Sequence, residues 1–256
     1  MSDTAREILV VLPTYNELDT LAGVVERLLA RAPQVDLLII DDGSPDGTGE
    51  LADELATDPR ISVLHRAGKL GLGTAYTEGF AIARDRGYRW VAEMDSDGSH
   101  LPEEFPRLIA AARAGAGLVI GARWIDGGRI ENWPWYRALI SRTATAVARI
   151  SLKSRLHDLT SGFRVIDTEW LARLDLGDIS SQGYGFQVES AWLLERAGCP
   201  IVEVPITFVE RAGGRSKMSF AIVVEALTSV LAWGFRIRFG RRRPRPGHSS
   251  TREMTP

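Results

Sequence analysis

Short apolar runs alternate with helical patterns over the first two-thirds of the chain. The runs are continuous in Val, Ile and Leu, which is typical of strands buried on both faces of a parallel sheet. Between them, apolar residues recur at helical spacing, as at Leu21, Val24, Val25 and Leu28. The pattern predicts an α/β fold, a Rossmann-like, mostly parallel sheet flanked by helices. Strands are predicted at residues 8–12, 35–40, 61–64, 90–94 and 118–120.

A helix is also predicted over 103–114. After about residue 130 the alternation loosens, with helices predicted over 135–152 and 187–197 and a strand over 201–208. Residues 219–240 form a helical pattern with a broad apolar face, interrupted by Glu225. Six arginines and no acids follow over 236–245, so residues 241–256 are predicted to be a basic and polar flexible tail. Such a helix is expected to lie in a membrane interface or to dock a partner, but it also fits a core helix followed by a solubilising tail.

Composition excludes several classes. Of 256 residues, 45% are hydrophobic and 25% charged, which argues against disordered, collagen-like or coiled-coil proteins. The 31 basic and 33 acidic residues nearly cancel, which disfavours a nucleic-acid-binding surface. The single cysteine, Cys199, excludes an internal disulfide framework. The polar N-terminus has no apolar signal-peptide core, so a cytoplasmic location is expected.

Carboxylates follow three of the predicted strands. Glu17 comes after the first, Asp41 and Asp42 after the second, and Asp95 and Asp97 after the fourth. In open α/β sheets, ligands bind in the crevice beyond the carboxyl ends of the strands. These loops are therefore expected to form one site.

The segment Asp95-Ser96-Asp97 carries the most specific chemistry. Two carboxylates at i and i+2 can converge on one hard cation, and Mg²⁺ or Mn²⁺ would complete its shell with diphosphate oxygens and water. The alternative is an ordinary turn, since Asp, Ser and Gly are turn-forming residues.

Two glycine-containing loops and a set of basic residues allow two interpretations each. Residues 41–48 fit either a strand-to-helix turn capped by Asp46 or Thr48, or a carboxylate that reaches a base or ribose. Residues 68–73 are not a Walker loop, although a ligand can approach their backbone closely. Some basic residues lie near glycines and aromatics, where they would suit phosphate, yet each alone is more commonly a solvated charge: Arg123, Arg137, Arg164, Arg211, Arg215 and Lys217.

Five ordered segments, together with residues 208–217, resemble one family. Residues 11–17, 41–48, 68–76, 94–100 and 161–164 are similar to motifs of the inverting GT-A glycosyltransferases, and within them to those of the polyprenol (dolichol) monophosphomannose synthases. The resemblance spans roughly residues 9–218 and implies a GT-A domain over 1–218. It departs at Ser99, where some relatives carry a glutamine that completes the metal shell.

The resemblance also implies roles for individual residues. Asp95, Asp97 and Ser99 would hold Mg²⁺ or Mn²⁺, and Asp97, Arg123, Arg211 and Lys217 would be catalytic. The phosphate of the lipid acceptor would contact Arg123, Arg137 and Ser141. The donor would contact Pro13, Tyr15, Glu17, Ile40, Asp42, Asp95, Ser96, Asp97, Arg211 and Lys217.

The expected reaction is transfer of mannose from GDP-mannose to a polyprenyl phosphate with inversion. The expected partners are these two substrates, the cytoplasmic face of a membrane and a separate membrane-anchoring protein, with no nucleic acid. Two alternatives stay open at this point. One is a UDP-glucose:polyprenyl-phosphate glucosyltransferase, and the other is a non-catalytic subunit that binds a nucleotide sugar.

Overall fold

The computed structural model describes residues 7–174 and 184–210, which contain a layered α/β structure. The strands are β1 Ile8–Thr14, β2 Val35–Asp41, β3 Ile61–His65, β4 Trp90–Glu93, β5 Leu118–Ala122, β6 Arg129–Glu131, β7 Arg164–Asp167, β8 Ile201–Pro205 and β9 Thr207–Val209. The helices are α1 Leu21–Arg31, α2 Thr48–Leu55, α3 Leu72–Asp85, α4 Phe105–Arg113, α5 Trp135–Leu152, α6 Thr168–Leu171 and α7 Tyr184–Arg196, with a 3₁₀ turn at Pro102–Glu104.

Seven strands form one sheet in the order β3-β2-β1-β4-β7-β5-β8. All neighbouring strands are parallel except β7, which is antiparallel to both β4 and β5. The expected mostly parallel sheet flanked by helices is therefore confirmed. Strands β6 and β9 pair separately as a small parallel ribbon.

Side chains of β1 alternate between two hydrophobic cores. Ile8 and Val10 pack in the core that includes α1 and α4, whereas Leu9 and Val11 pack in the core that includes α3 and α7. Both faces of the strand are dry, which explains why its apolar run is continuous. Polar side chains are left to the loops at the strand ends.

Two predictions in the second half of the chain need correction. The single strand predicted over 201–208 is two strands, because the chain leaves the main sheet at buried Ile206 and pairs with β6. Strand β7 was not predicted, and it supplies the antiparallel pairing.

The predicted helix over 219–240 and the tail over 241–256 lie outside the described residues. Within the described ranges, no helix has the length and hydropathy needed to cross a bilayer.

Gly79 tests how closely α3 packs on β1. A Cβ at this position would lie 2.7 Å from Val11 Cγ2, whereas Gly23 in α1 has nothing within 4 Å of the corresponding position. We expect Gly79→Ala to lower the free energy of unfolding by about 1–3 kcal/mol through overpacking. The matched Gly23→Ala should raise it by up to about 1 kcal/mol through helix propensity. Urea unfolding of both variants checks this, and equal effects would contradict the close packing.

Candidate active site

Hydrogen bonds join the loops that follow β1, β2 and β4 at one edge of the sheet. Ser96 Oγ donates to the Pro13 carbonyl at 2.8 Å, and Thr20 Oγ1 donates to the Ser96 carbonyl at 2.9 Å. The backbone N–H of Asp42 donates to the Thr14 carbonyl at 3.0 Å. The three loops that are predicted to share a site therefore lie in contact with one another.

Adjacent aspartates in the loop after β2 have different surroundings. Asp41 accepts hydrogen bonds from the backbone N–H groups of Gly43 and Ser44, each at 3.1 Å, and so fixes the turn. Asp42 lies against Arg66, with 2.8 Å between its Oδ1 and Arg66 Nη1. Burial raises the pKa of Asp42, and the charge of Arg66 opposes that rise. Asp41 therefore shapes its own turn, whereas Asp42 connects this loop to Arg66 and to the backbone of Leu70 and Gly71.

The glycine-containing loop over 68–73 lies beside the crevice that the loops after β1 and β2 form. Lys69 Nζ lies 4.6 Å from the centre of the Tyr15 ring, in a cation–π contact. Arg66 Nη2 donates to Thr74 Oγ1 at the start of α3. Sequence reasoning missed Arg66 and Lys69 as site residues, although the glycines beside them were noted. Of the other predicted donor residues, Glu17 lies in the loop after β1, and Ile40 is buried in β2.

The two carboxylates predicted to hold a metal follow β4 directly. The Asp95 side chain is 33% exposed, whereas Asp97 is buried and accepts a hydrogen bond from the Ser99 backbone N–H at 2.9 Å. Ser99 Oγ is buried and forms no hydrogen bond within the described ranges. These oxygen donors suit Mg²⁺ or Mn²⁺. In the described part of the chain, no cluster of three or more His, Cys, Asp or Glu side chains is arranged to hold a metal ion.

His100 supports the predicted metal-binding loop, residues 94–100, from below. Its Nδ1 accepts a hydrogen bond from the Asp95 backbone N–H at 3.1 Å, and its ring stacks on Phe163. Burial lowers the pKa of His100 to about 4, so the imidazole is neutral near pH 7. A neutral, buried imidazole whose Nδ1 already accepts a hydrogen bond is a structural group.

Phe208 in β9 connects the metal-binding loop to the predicted acceptor residues. Its ring centre lies 5.3 Å from that of His100 and 5.3 Å from that of Trp133. Arg123 Cζ also lies 5.3 Å from this ring, and Arg137 Cζ lies 4.7 Å from the Trp133 ring. Sequence reasoning noted Phe208 only as part of a motif, because its contacts come from segments far apart in the chain.

Arg123 follows β5 and forms a buried ion pair with Asp158. Its Nε and Nη2 donate to the two carboxylate oxygens at 2.8 and 2.7 Å, and Nη2 also donates to Thr160 Oγ1. Burial raises the pKa of Asp158, but the charge and hydrogen bonds of Arg123 outweigh it and bring the pKa below its usual value. The guanidinium is therefore held in one orientation, with its plane fixed beside Phe208.

Arg137 and Ser141 lie four residues apart on α5, so they share one face of the helix. Arg137 pairs with Glu210, which follows β9. Of the predicted phosphate-binding arginines, Arg123 contacts the Phe208 ring, and Arg137 contacts Trp133, whose ring packs against Phe208. Arg211 and Lys217 lie outside the described residues.

A second buried arginine, Arg164, lies beneath the metal-binding loop. It faces Glu93 across the β4–β7 pairing, and both side chains are fully buried. Burial raises the pKa of Glu93 to about 7, against the opposing effects of Arg164 and the neighbouring Gln187 amide. Glu93, Arg164 and Gln187 therefore form a buried polar layer next to the strand that carries Asp95 and Asp97, and sequence reasoning named only Arg164 from it, as a candidate phosphate ligand.

Comparison with known proteins agrees with this arrangement. The chain is 49% identical over 93% of its length to the polyprenol monophosphomannose synthase of Mycolicibacterium smegmatis, of which 91% is covered. It is 48% identical over 94% of its length to the undecaprenyl-phosphate mannosyltransferase of Micrococcus luteus, of which 99% is covered.

Solved structures of lower identity share the fold. Glucosyl-3-phosphoglycerate synthase from Mycobacterium tuberculosis, in complex with Mn²⁺ and UDP-glucose, matches with a TM-score of 0.61 and 23% identity, over 93% of this chain and 81% of that one. The model of glycosyl transferase family 2 matches residues 9–175. The sheet, the loops at its carboxyl edge and these matches agree, and the chain belongs to glycosyl transferase family 2.

Proposed function

We propose that this protein transfers mannose from GDP-mannose to a polyprenyl phosphate, giving polyprenyl β-phosphomannose and GDP. The observation that carries the proposal is a chain of contacts from the loop that carries Asp95 and Asp97 to two arginines. His100 joins the Asp95 backbone to the Phe208 ring, which Arg123 contacts directly and Arg137 contacts through Trp133. A nucleotide-sugar site would thereby adjoin a phosphate site. Relatives that share nearly half of the sequence over almost its whole length are named as mannosyltransferases acting on polyprenyl phosphates.

The donor would occupy the crevice formed by the loops after β1, β2 and β4. Tyr15 and Asp42 would contact the nucleoside, with Pro13, Glu17 and Ile40 lining the pocket, and Ser96 would contact the donor through its backbone. Asp95 and Asp97 would hold Mg²⁺ or Mn²⁺, with Ser99 as the third candidate ligand. The ion would neutralise charge on the departing diphosphate.

The acceptor supplies its own nucleophile. The second pKa of a phosphate monoester is about 6, so near pH 7 the group is largely a dianion and needs no general base. Accordingly, the one histidine beside the aspartates, His100, is neutral and already accepts a hydrogen bond from the Asp95 backbone.

The remaining contribution of the chain is orientation. Arg123, whose guanidinium is fixed by Asp158, would hold the acceptor phosphate together with Arg137 and Ser141. Arg211 and Lys217 would stabilise the leaving GDP. Attack by the phosphate oxygen on the side of the sugar opposite the diphosphate would invert the anomeric configuration, and positioning of this kind supplies much of the rate enhancement.

The outer face of α5 suits a lipid surface. Trp135 is 77% exposed and Ile150 is 75% exposed, and Tyr136, Leu139 and Ile140 between them are also exposed. Residues 132–157 contain five Arg or Lys and no Asp or Glu. An apolar face flanked by basic residues favours binding at an anionic membrane interface, and this face belongs to the helix that carries Arg137 and Ser141. The polyprenyl chain of the acceptor would thus lie in the membrane beside the site that holds its phosphate.

The metal assignment predicts the effect of an isosteric change. Asp97→Asn keeps an oxygen that can accept the Ser99 N–H but removes the charge, so mannose transfer to polyprenyl phosphate should fall at least about a hundredfold, or about 3 kcal/mol in transition-state stabilisation. The assay is transfer of labelled mannose with Mg²⁺ or Mn²⁺, with exposed Asp85→Asn as the control. Near-normal turnover by Asp97→Asn, or by the unaltered chain with chelator, would contradict the metal assignment.

The membrane assignment predicts the effect of charge on α5. The double variant Trp135→Glu/Ile150→Glu should sediment less with anionic phospholipid vesicles, because it places two carboxylates on the apolar face. Val202 is 41% exposed on β8, so Val202→Glu is the control and should bind as the unaltered chain does. Equal vesicle binding by all three proteins would show that this face does not contact the membrane.

A further inference from the structure

Gln187 in α7 is a buried polar side chain with more hydrogen-bonding groups than one partner satisfies. The residue is only 1% exposed, and its amide hydrogen-bonds to Glu93, which lowers the pKa of that carboxyl. A buried amide has two N–H donors and a carbonyl acceptor, so its remaining groups need partners as well. None of the roles derived above uses this residue.

The amide and Asp95 both border the position that a Cβ of Gly162 would occupy. A Cβ at Gly162 would lie 3.6 Å from Gln187 Nε2 and 3.7 Å from Asp95 Oδ1. The absent side chain therefore leaves open the space between the amide and the carboxylate. Gly162 does not adopt a positive φ, so its conformation does not require glycine.

Other buried polar groups interact electrostatically with Glu93. The Tyr76 hydroxyl and Arg164 Nε belong to them, and neither atom forms a hydrogen bond in the described part of the chain. The Gln187 amide can donate two hydrogen bonds and accept others. It is thus able to donate to Glu93 on one side and to Asp95 on the other, while its carbonyl accepts from Tyr76 or Arg164.

We propose that Gln187 is a positioning residue of the metal site, which donates a hydrogen bond across the Gly162 gap to Asp95 and fixes the orientation of that carboxylate toward the ion. Asp97 already has such a donor in the Ser99 backbone N–H, and Gln187 supplies the corresponding one for Asp95. The inference rests on the proposed metal-dependent function. A neutral amide suits this place, because it orients a carboxylate without adding charge to a site that already holds two aspartates.

Binding of Mn²⁺ by the full chain tests the proposal without any turnover. In the presence of GDP, the electron paramagnetic resonance signal of free Mn²⁺ gives the dissociation constant. Gln187→Leu should weaken binding about tenfold, as loss of groups that orient metal ligands commonly does. Gly162→Ala should weaken it similarly, because its methyl group fills the gap. The double variant should bind no more weakly than either single one, since both changes remove the same hydrogen bond.

Two control variants separate this effect from a general loss of structure. Thr145→Val, on α5, removes a buried hydroxyl that has no hydrogen-bond partner among the described residues. Gly23→Ala adds a methyl group at a position with no other atom within 4 Å. Both should bind Mn²⁺ as the unaltered chain does. Thermal unfolding of all variants, followed by circular dichroism, confirms that they are folded at the temperature of the titration.

The outcomes distinguish this proposal from the one on which it rests. Mn²⁺ binding that is lost in Asp97→Asn but unchanged in folded Gln187→Leu and Gly162→Ala would overturn the role of Gln187 and leave the metal site standing. Fully additive losses in the double variant would overturn the shared hydrogen bond. If the unaltered chain binds no Mn²⁺ with GDP, the metal site and the role of Gln187 both fail.

Discussion

Two arginines removed from water determine the geometry of the catalytic edge. A buried guanidinium needs hydrogen-bond acceptors and a counter-charge, or the fold loses several kcal/mol. Arg123 has Asp158, and Arg164 has Glu93 across the sheet, with the Leu159 carbonyl at 2.8 Å from its Nη2. The partners that Arg123 and Arg164 need constrain the backbone path of residues 158–164. This segment therefore passes below the predicted metal-binding loop. That course brings Gly162 next to the aspartates.

The pairing of the buried arginines also places the proposed donor and acceptor sites next to each other. Fixing Arg123 against Asp158 sets its plane beside Phe208, and that ring contacts the imidazole supporting Asp95. The distance between donor and acceptor therefore depends on a rigid aromatic and ionic assembly rather than on a flexible surface. For a reaction whose nucleophile is already ionised, such an assembly supplies what the chemistry still needs, namely orientation and charge stabilisation. The exposed apolar residues of α5 lie on the helix that also carries Arg137 and Ser141.

How far the sequence predicts this structure depends on the range of the contacts. Apolar runs located five strands of the sheet, because a strand buried on both faces needs only local hydrophobic residues, and residues at the strand ends marked the site. Strand β7 was missed, since a four-residue antiparallel strand carries no local sign of its direction. The break at Ile206 was missed because the apolar pattern continues through it. Gln187 and Phe208 depend on neighbours about a hundred residues away, and no spacing rule predicts those contacts.

The central claim is that the crevice accepts GDP-mannose and that the acceptor is a polyprenyl phosphate. The most direct measurement is a transfer assay. The full chain is incubated with a short polyprenyl phosphate, Mg²⁺ or Mn²⁺, and either labelled GDP-mannose or labelled UDP-glucose. The label that enters the organic phase is then counted. We expect an organic-extractable product from GDP-mannose and none from UDP-glucose. This product should be lost when the polyprenyl phosphate is omitted. Label from UDP-glucose only would contradict the donor assignment, and absence of product from both donors would contradict the claim that this chain is by itself a transferase.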